Sequence, residues 1–208
     1  KMNKPQMQFI YLDVGGVAIL DFSKTNKWNE MLDDLQISGS KRTMFEELFD
    51  FHEKRICVGE DINVFIKEAR IQLGINFPDK YDMTADFVNR FEKNRYILKM
   101  LPKLMKNFRL GLLTNQYPNM LNMIFEKKLL PDDIWDVIVD SSIEKVAKPN
   151  PEIYSLAQSR ASVNPENILF IDNKNKLLEP PKSMGWQVLE YDPAEPKESV
   201  ENLSAVIY

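Results

Sequence analysis

Five short apolar runs, each about the length of one buried β-strand, constrain the fold of this chain most strongly. They are residues 9–12, 110–113, 137–139, 168–171 and 188–189. Uninterrupted apolar runs of this length are typical of strands that are buried on both faces, as in parallel sheets. Helical patterns separate the later runs, over residues 119–128, 151–160 and 176–184. Alternating strands and helices predict right-handed crossovers and a Rossmann-like, doubly wound parallel α/β sheet.

Between the first two runs, the apolar residues follow a different spacing. From about residue 26 to 108, apolar residues recur at helical spacing, and Gly74 closes one of these patterns. We therefore predict an all-helical insertion after the first strand. The predicted division is residues 1–16 and 95–208 for the α/β core and 17–94 for the insertion. Prolines are expected to interrupt a helix near Pro102 and to break the last predicted helix at Pro180 and Pro181.

Composition excludes several classes of protein. Among 208 residues, 27 Lys and Arg face 31 Asp and Glu, and this net charge of -4 argues against a dedicated nucleic-acid binder. The single Cys57 excludes an internal disulfide framework, and the single His52 excludes a three-histidine metal site. The apolar stretch over 9–20 contains Asp13 and is too short to span a bilayer. We expect a cytoplasmic monomer or homodimer with neither nucleic-acid nor membrane partners.

Polar and charged residues stand at the ends of the predicted strands. In doubly wound sheets, the ligand crevice lies beyond the carboxyl ends of the strands. We therefore expect residues that follow different strands, far apart in sequence, to converge at one edge of the sheet. The candidates are Asp13 after the first run, Thr114 and Asn115 after the second, Lys148 after the third, and Asp172 and Asn173 after the fourth.

These residue types suit one kind of chemistry. Two carboxylates on neighbouring strands, Asp13 and Asp172, repel each other unless a counter-charge is present. A few oxygen ligands with room for water suit Mg²⁺, and the metal in turn suits a phosphate. Lys148 adds a positive charge and the hydroxyl of Thr114 adds a donor, as transfer of a phosphoryl group requires. A carboxylate can also act as the nucleophile and form an acyl phosphate.

Four segments in order resemble the motifs of the haloacid dehalogenase-like (HAD) hydrolase superfamily. Residues 9–17 resemble the first motif, 112–115 the second, 148–154 the third and 168–173 the fourth. The resemblance covers nearly the whole chain, and the helical insertion is similar to the small helical cap of the family. Within the family, the pattern resembles sugar-phosphate phosphatases and the N-terminal phosphatase domain of soluble epoxide hydrolases.

The resemblance implies a role for each matching residue. Asp13 would be the nucleophile and a ligand of Mg²⁺, and the main-chain carbonyl of Gly15 would be a second ligand. Asp172 would complete the metal site, with Asn173 close by. The transferring phosphoryl group would be bound by Thr114 and Asn115, and Lys148 would neutralise it and steady Asp13.

Three positions depart from the family pattern. Most phosphatases of the family carry a general acid and base two residues after the nucleophile, where this chain has Gly15. The second acid of the fourth motif is Asn173, and the asparagine that usually follows four residues later is Leu177. The leading hypothesis is a Mg²⁺-dependent phosphatase that hydrolyses a small phosphorylated metabolite through an aspartyl-phosphate. A non-catalytic or weakly active binding protein of the same fold is the alternative, and a metal-independent 2-haloacid dehalogenase, which Asp172 argues against, is a third.

Overall fold

A computed structural model describes residues 7–208 of the chain, and a five-stranded parallel sheet forms its centre. The strands are β1 (Phe9–Leu12), β2 (Ile19–Leu20), β3 (Glu92–Lys93), β4 (Arg109–Thr114), β5 (Val137–Asp140), β6 (Ile168–Asp172) and β7 (Gln187–Glu190). The central sheet has the order β5-β4-β1-β6-β7, and each neighbouring pair is parallel. The predicted α/β fold is confirmed, and each apolar run lies within a strand of this sheet.

Helices connect these strands and cover both faces of the sheet. They are α1 (Lys27–Asp34), α2 (Ser40–Ile56), α3 (Ile62–Leu73), α4 (Met83–Arg90), α5 (Arg95–Leu104), α6 (Met120–Glu126), α7 (Ser141–Glu144), α8 (Pro151–Ala161), α9 (Asn175–Ser183) and α10 (Pro196–Ile207). Gly74 ends α3 in the left-handed region, with φ of 61°, as the sequence predicts. Within residues 7–208, no helix is both long and apolar enough to cross a membrane.

The central strand β1 is uninterrupted by polar residues because both of its faces are covered. Ile10 and Leu12 belong to one hydrophobic cluster, and Phe9 and Tyr11 belong to another on the opposite face. The Tyr11 hydroxyl donates a hydrogen bond to the carbonyl of Ala157 at 2.7 Å, which satisfies its polar atom. This two-sided burial is the physical reason that an apolar run without alternation predicted the strand correctly.

A short antiparallel ribbon stands at the base of the helical insertion. Ile19 of β2 pairs with Lys93 of β3, and α1 to α4 lie between these two strands along the chain. Sequence patterns did not predict the ribbon, because two-residue strands are too short to show periodicity. Strands β2 and β3 lie near the predicted limits of the insertion, but its status as a separate domain stays a prediction, and residues 1–6 of the predicted core lie outside the described residues.

The predicted helix breaks at prolines are wrong. Helix α9 continues through Pro180 and Pro181, and α5 continues through Pro102 in its last turn. Pro181 has no N–H to donate to the carbonyl of Leu177 four residues earlier. That carbonyl instead accepts a hydrogen bond from the hydroxyl of Tyr154 at 2.7 Å. A tertiary contact therefore compensates the missing bond, and α9 packs against the sheet as an unbroken helix.

Candidate active site

The carboxyl ends of the central strands border a cavity of about 620 Å³. The predicted site residues Asp13, Gly15, Asn115, Lys148 and Asn173 all line it. They come from segments after β1, β4, β5 and β6, and they meet because the carboxyl ends of parallel strands lie at the same edge of a sheet. The structure therefore brings together residues that are separated by up to 160 positions in the sequence.

Lys148 joins the two predicted carboxylates. Its Nζ lies 3.1 Å from Oδ1 of Asp13 and 2.6 Å from Oδ2 of Asp172. The side chains of Lys148 and Asp172 have no exposed surface, and that of Asp13 is 11% exposed. Buried charges are tolerated when they are paired in this way. The ammonium group of Lys148 is therefore the counter-charge that two neighbouring carboxylates need.

Burial and neighbouring charges shift the pKa values of Asp172 and Lys148. Burial raises the pKa of Asp172 to about 6, with Lys148 lowering it and Asp13 raising it. Burial alone would lower the pKa of Lys148, but the carboxylates of Asp13 and Asp172 outweigh it and raise that pKa above its ordinary value. The lysine is therefore held as an ammonium ion despite its complete burial.

The backbone of Lys148 is fixed by a side chain from another strand. The side-chain oxygen of Asn115 accepts a hydrogen bond from the Lys148 N–H at 2.8 Å, and its Nδ2 donates to the Lys148 carbonyl at 2.9 Å. Asn115 therefore positions the lysine. Its predicted contact with a phosphoryl group stays a prediction.

Thr114 lies behind the wall of the cavity. Its side chain is fully buried, and its hydroxyl accepts a hydrogen bond from Nε2 of Gln116 at 3.1 Å. Gln116 lines the cavity, and its Oε1 is buried without a hydrogen-bond partner among the described residues. The predicted phosphate contact of Thr114 stays a prediction, and Gln116 is a lining residue that sequence reasoning missed because no pattern singles out a glutamine.

Of the three oxygen ligands predicted for a divalent cation, Asp13 and Gly15 line the cavity, whereas Asp172 is not a lining residue and its side chain has no exposed surface. No group of three or more His, Cys, Asp and Glu side chains that could hold a metal occurs within residues 7–208. The predicted set instead combines two carboxylates, Asp13 and Asp172, with the Gly15 carbonyl. Beside them, Oδ1 of Asn173 is buried without a partner among the described residues. Oxygen ligands of this kind, few in number and completed by water, suit Mg²⁺.

Two consecutive glycines let other segments approach the end of β1. Gly16 has φ of 76°, and a Cβ at that position would collide with Nδ2 of Asn173. A Cβ at Gly15 would lie 2.5 Å from Oδ2 of Asp21. Asp21 also lines the cavity, and burial raises its pKa, with Ser23 lowering it and Asp13 raising it. Sequence reasoning missed Asp21 because it follows β2, which no pattern predicted.

Six aromatic side chains line the cavity, and five of them come from the helical insertion. The aromatic lining residues are Trp28, Phe49, Phe87, Phe91 and Tyr117, with Phe22 beside them. The hydroxyl of Tyr117 donates to Oε1 of Glu53 at 3.0 Å, and this bond links the loop after β4 to α2.

Cys57 also lines the cavity. Burial raises the pKa of Cys57 to about 12, so its thiol stays neutral at neutral pH and is a poor nucleophile.

Comparison with known proteins establishes the class of this chain. The family model of haloacid dehalogenase-like hydrolases matches residues 36–174, which is well over half of the sequence. The chain belongs to this family of hydrolases. A curated relative, acyl-CoA dehydrogenase family member 10 of Mus musculus, is 30% identical over 99 residues. That alignment covers 47% of this chain and only 9% of the mouse protein.

Solved structures show the same fold at low sequence identity. A protein of Porphyromonas gingivalis, described as a predicted HAD-like family hydrolase, matches with a TM-score of 0.79 and 20% identity over 97% of this chain and 98% of its own. A HAD family enzyme of Bacteroides thetaiotaomicron, solved in complex with magnesium and inorganic phosphate, gives 0.71 and 20% over 91% and 96%. An L-2-haloacid dehalogenase of Xanthobacter autotrophicus gives 0.64 and 18% over 89% and 78%.

Proposed function

We propose that this hydrolase is a Mg²⁺-dependent phosphatase that cleaves a small phosphorylated metabolite through an aspartyl-phosphate on Asp13. The observation that carries the proposal is the triad of Asp13, Lys148 and Asp172, in which one buried ammonium contacts both carboxylates. A dehalogenase that attacks carbon has no need of this second carboxylate. The magnesium and phosphate in the Bacteroides thetaiotaomicron structure lend further support.

Asp13 is the group best placed to act as the nucleophile. Its Oδ1 contacts Lys148, so Oδ2 is the oxygen that this ion pair does not engage. Oδ2 would attack the phosphorus atom, the bond to the ester oxygen would break, and water would later hydrolyse the aspartyl-phosphate. Lys148 would hold the carboxyl group of Asp13 in position and offset the charge of the phosphoryl group.

The metal would be held by oxygen atoms at the end of β1 and β6. Asp13, the carbonyl of Gly15 and Asp172 are the proposed ligands, and the buried Oδ1 of Asn173 is available beside them. When bound, Mg²⁺ supplies positive charge that offsets the negative charge of the phosphoryl oxygens. The residues of the chain place the nucleophile, and the cavity walls limit the access of water.

The shape and lining of the cavity indicate the kind of metabolite. The volume of about 620 Å³ accommodates a small molecule, and the lining includes aromatic side chains such as Trp28 and Phe49. These side chains favour a phosphomonoester whose organic part has an apolar or planar face. The helical insertion, proposed here as the cap, would choose between such substrates.

Release of inorganic phosphate from a panel of phosphomonoesters, with Mg²⁺ and with EDTA, tests the proposal. Asp13→Asn keeps the size of the side chain but removes the nucleophile, so we expect a loss on the order of 10⁴-fold or more in kcat. The matched control is Asp132→Asn at an exposed aspartate outside the cavity, which we expect to behave as wild type. EDTA is expected to abolish phosphate release by the wild type.

Two outcomes would favour the other hypotheses. Halide release from 2-haloacids that persists in EDTA would indicate the dehalogenase. A wild-type chain that releases no phosphate, and whose melting temperature is unchanged by Mg²⁺ with beryllium fluoride, would indicate a protein that has lost the chemistry and kept the fold. Equal phosphate release by wild type and Asp13→Asn would reject Asp13 as the nucleophile.

A further inference from the structure

The carboxyl group of Asp21 occupies the space beside Gly15. A side chain at position 15 would begin with a Cβ only 2.5 Å from Oδ2 of Asp21 and 3.3 Å from its Cγ. The first of these distances is close to that between the Cβ and a carboxyl oxygen within an aspartate itself. Asp21 therefore brings an acid oxygen to the place that an aspartate at position 15 would reach, although it arrives from a different strand.

Local hydrogen bonds orient Asp21 toward Gly15. Its Oδ1 accepts a hydrogen bond from the N–H of Ser23 at 2.8 Å, and this turn leaves Oδ2 on the side of Gly15. The hydroxyl of Ser23 accepts in turn from Nδ2 of Asn173 at 3.0 Å. The segment that carries Asp21 is thus tied to the loop after β6, and Asp21 lines the same cavity as Asp13.

The other acidic and nucleophilic groups near the cavity are engaged elsewhere. Glu53 accepts the hydrogen bond from Tyr117, and Asp172 lies behind the cavity wall against Lys148. His52 is buried between Glu60 and Glu68 and does not line the cavity. Among the cavity-lining carboxyl groups near Asp13, Asp21 is the one with an oxygen directed toward the position of the missing acid.

We propose that Asp21 is the proton carrier of this hydrolase, acting from the position directly after β2 in place of a residue at position 15. This inference rests on the proposed phosphatase function. As Oδ2 of Asp13 bonds to phosphorus and the ester bond breaks, Asp21 gives its proton to the departing oxygen, which leaves as an alcohol. In the second step Asp21 takes a proton from the attacking water, whose oxygen bonds to phosphorus, and Asp13 and inorganic phosphate are released.

A pair of aryl esters with nearly the same shape separates the two steps. The leaving group of 4-nitrophenyl phosphate needs little protonation, whereas that of phenyl phosphate is far more basic. In Asp21→Asn, which keeps the acceptor for the Ser23 N–H, we expect kcat for phenyl phosphate to fall on the order of 10²-fold to 10³-fold. With 4-nitrophenyl phosphate, we expect a rapid burst of one nitrophenol per chain followed by slow turnover, because only hydrolysis of the aspartyl-phosphate is impaired.

Asp21→Ser, which also offers an acceptor to Ser23 but no acid, provides a second variant with the same expected pattern. Wild-type activity that persists in both variants, or an equal loss on both esters without a burst, would overturn the role of Asp21 while leaving the phosphatase itself intact. A wild-type chain that releases no phosphate in the presence of Mg²⁺ from these esters or from any phosphomonoester of the panel would overturn the phosphatase function and the role of Asp21 together. Melting temperatures of the variants within a few degrees of wild type would show that the fold is kept.

Discussion

The two sides of the cavity differ in how they are stabilised. The sheet edge buries an ion-paired cluster, in which the ammonium group of Lys148 contacts the carboxyl groups of Asp13 and Asp172. The helical insertion instead presents aromatic rings that pack on one another, such as Phe49 against Phe65 at 5.1 Å between centroids. A change at the sheet edge should therefore affect chemistry and stability together. A change on the helical side should affect which molecule binds.

The largest expected effect lies at the sheet edge. Lys148→Met keeps a long side chain but leaves two carboxylates without their counter-charge, so we expect the free energy of unfolding to fall by about 3–5 kcal/mol. Urea unfolding in EDTA measures this loss without a cation taking the place of the lysine. Lys182→Met, at an exposed lysine of α9, is the matched control. Similar stabilities of the two variants would contradict the importance of the buried cluster.

A smaller effect on catalysis, seen in KM rather than in kcat, is expected on the helical side. Trp28 lines the cavity and packs against Phe49 at 5.1 Å between ring centroids. Trp28→Phe replaces the indole by a smaller phenyl ring. We expect roughly a tenfold rise in KM for phenyl phosphate with little change in kcat. Trp135→Phe makes the same exchange outside the cavity. If kcat falls as much as KM rises, the helical side does more than select the substrate. If KM is the same in the two variants, Trp28 does not contribute to substrate binding.

The smallest effect is expected where the two sides meet. Tyr117→Phe removes only the hydrogen bond to Glu53, so we expect a loss of about 1 kcal/mol in the free energy of unfolding. Urea unfolding of this variant beside Tyr96→Phe, at an exposed tyrosine, provides the comparison. A loss several times larger would show that this bond holds the insertion in place, and no loss would show that aromatic packing is sufficient.

Patterns in the sequence predict the features that depend on neighbouring residues along the chain. The apolar run 9–12 predicts β1, and the position of Asp13 and Asp172 directly after buried strands predicts that they meet. Features that depend on contacts between residues far apart in the sequence cannot be predicted in this way. The continuity of α9 through Pro181 depends on the hydroxyl of Tyr154, 23 residues away from Leu177 in the sequence. The placement of Asp21 depends on a ribbon too short to show any periodicity.

The paired hydrogen bonds between Asn115 and the backbone of Lys148 make this position sensitive to a very small chemical change. One bond needs an acceptor and the other needs a donor, so an amide satisfies both and a carboxylate satisfies only one. Deamidation of Asn115 to aspartate during storage or ageing would keep the size of the side chain and still detach the Lys148 carbonyl. A mass gain of about one dalton at this residue would then mark molecules whose lysine is less firmly placed.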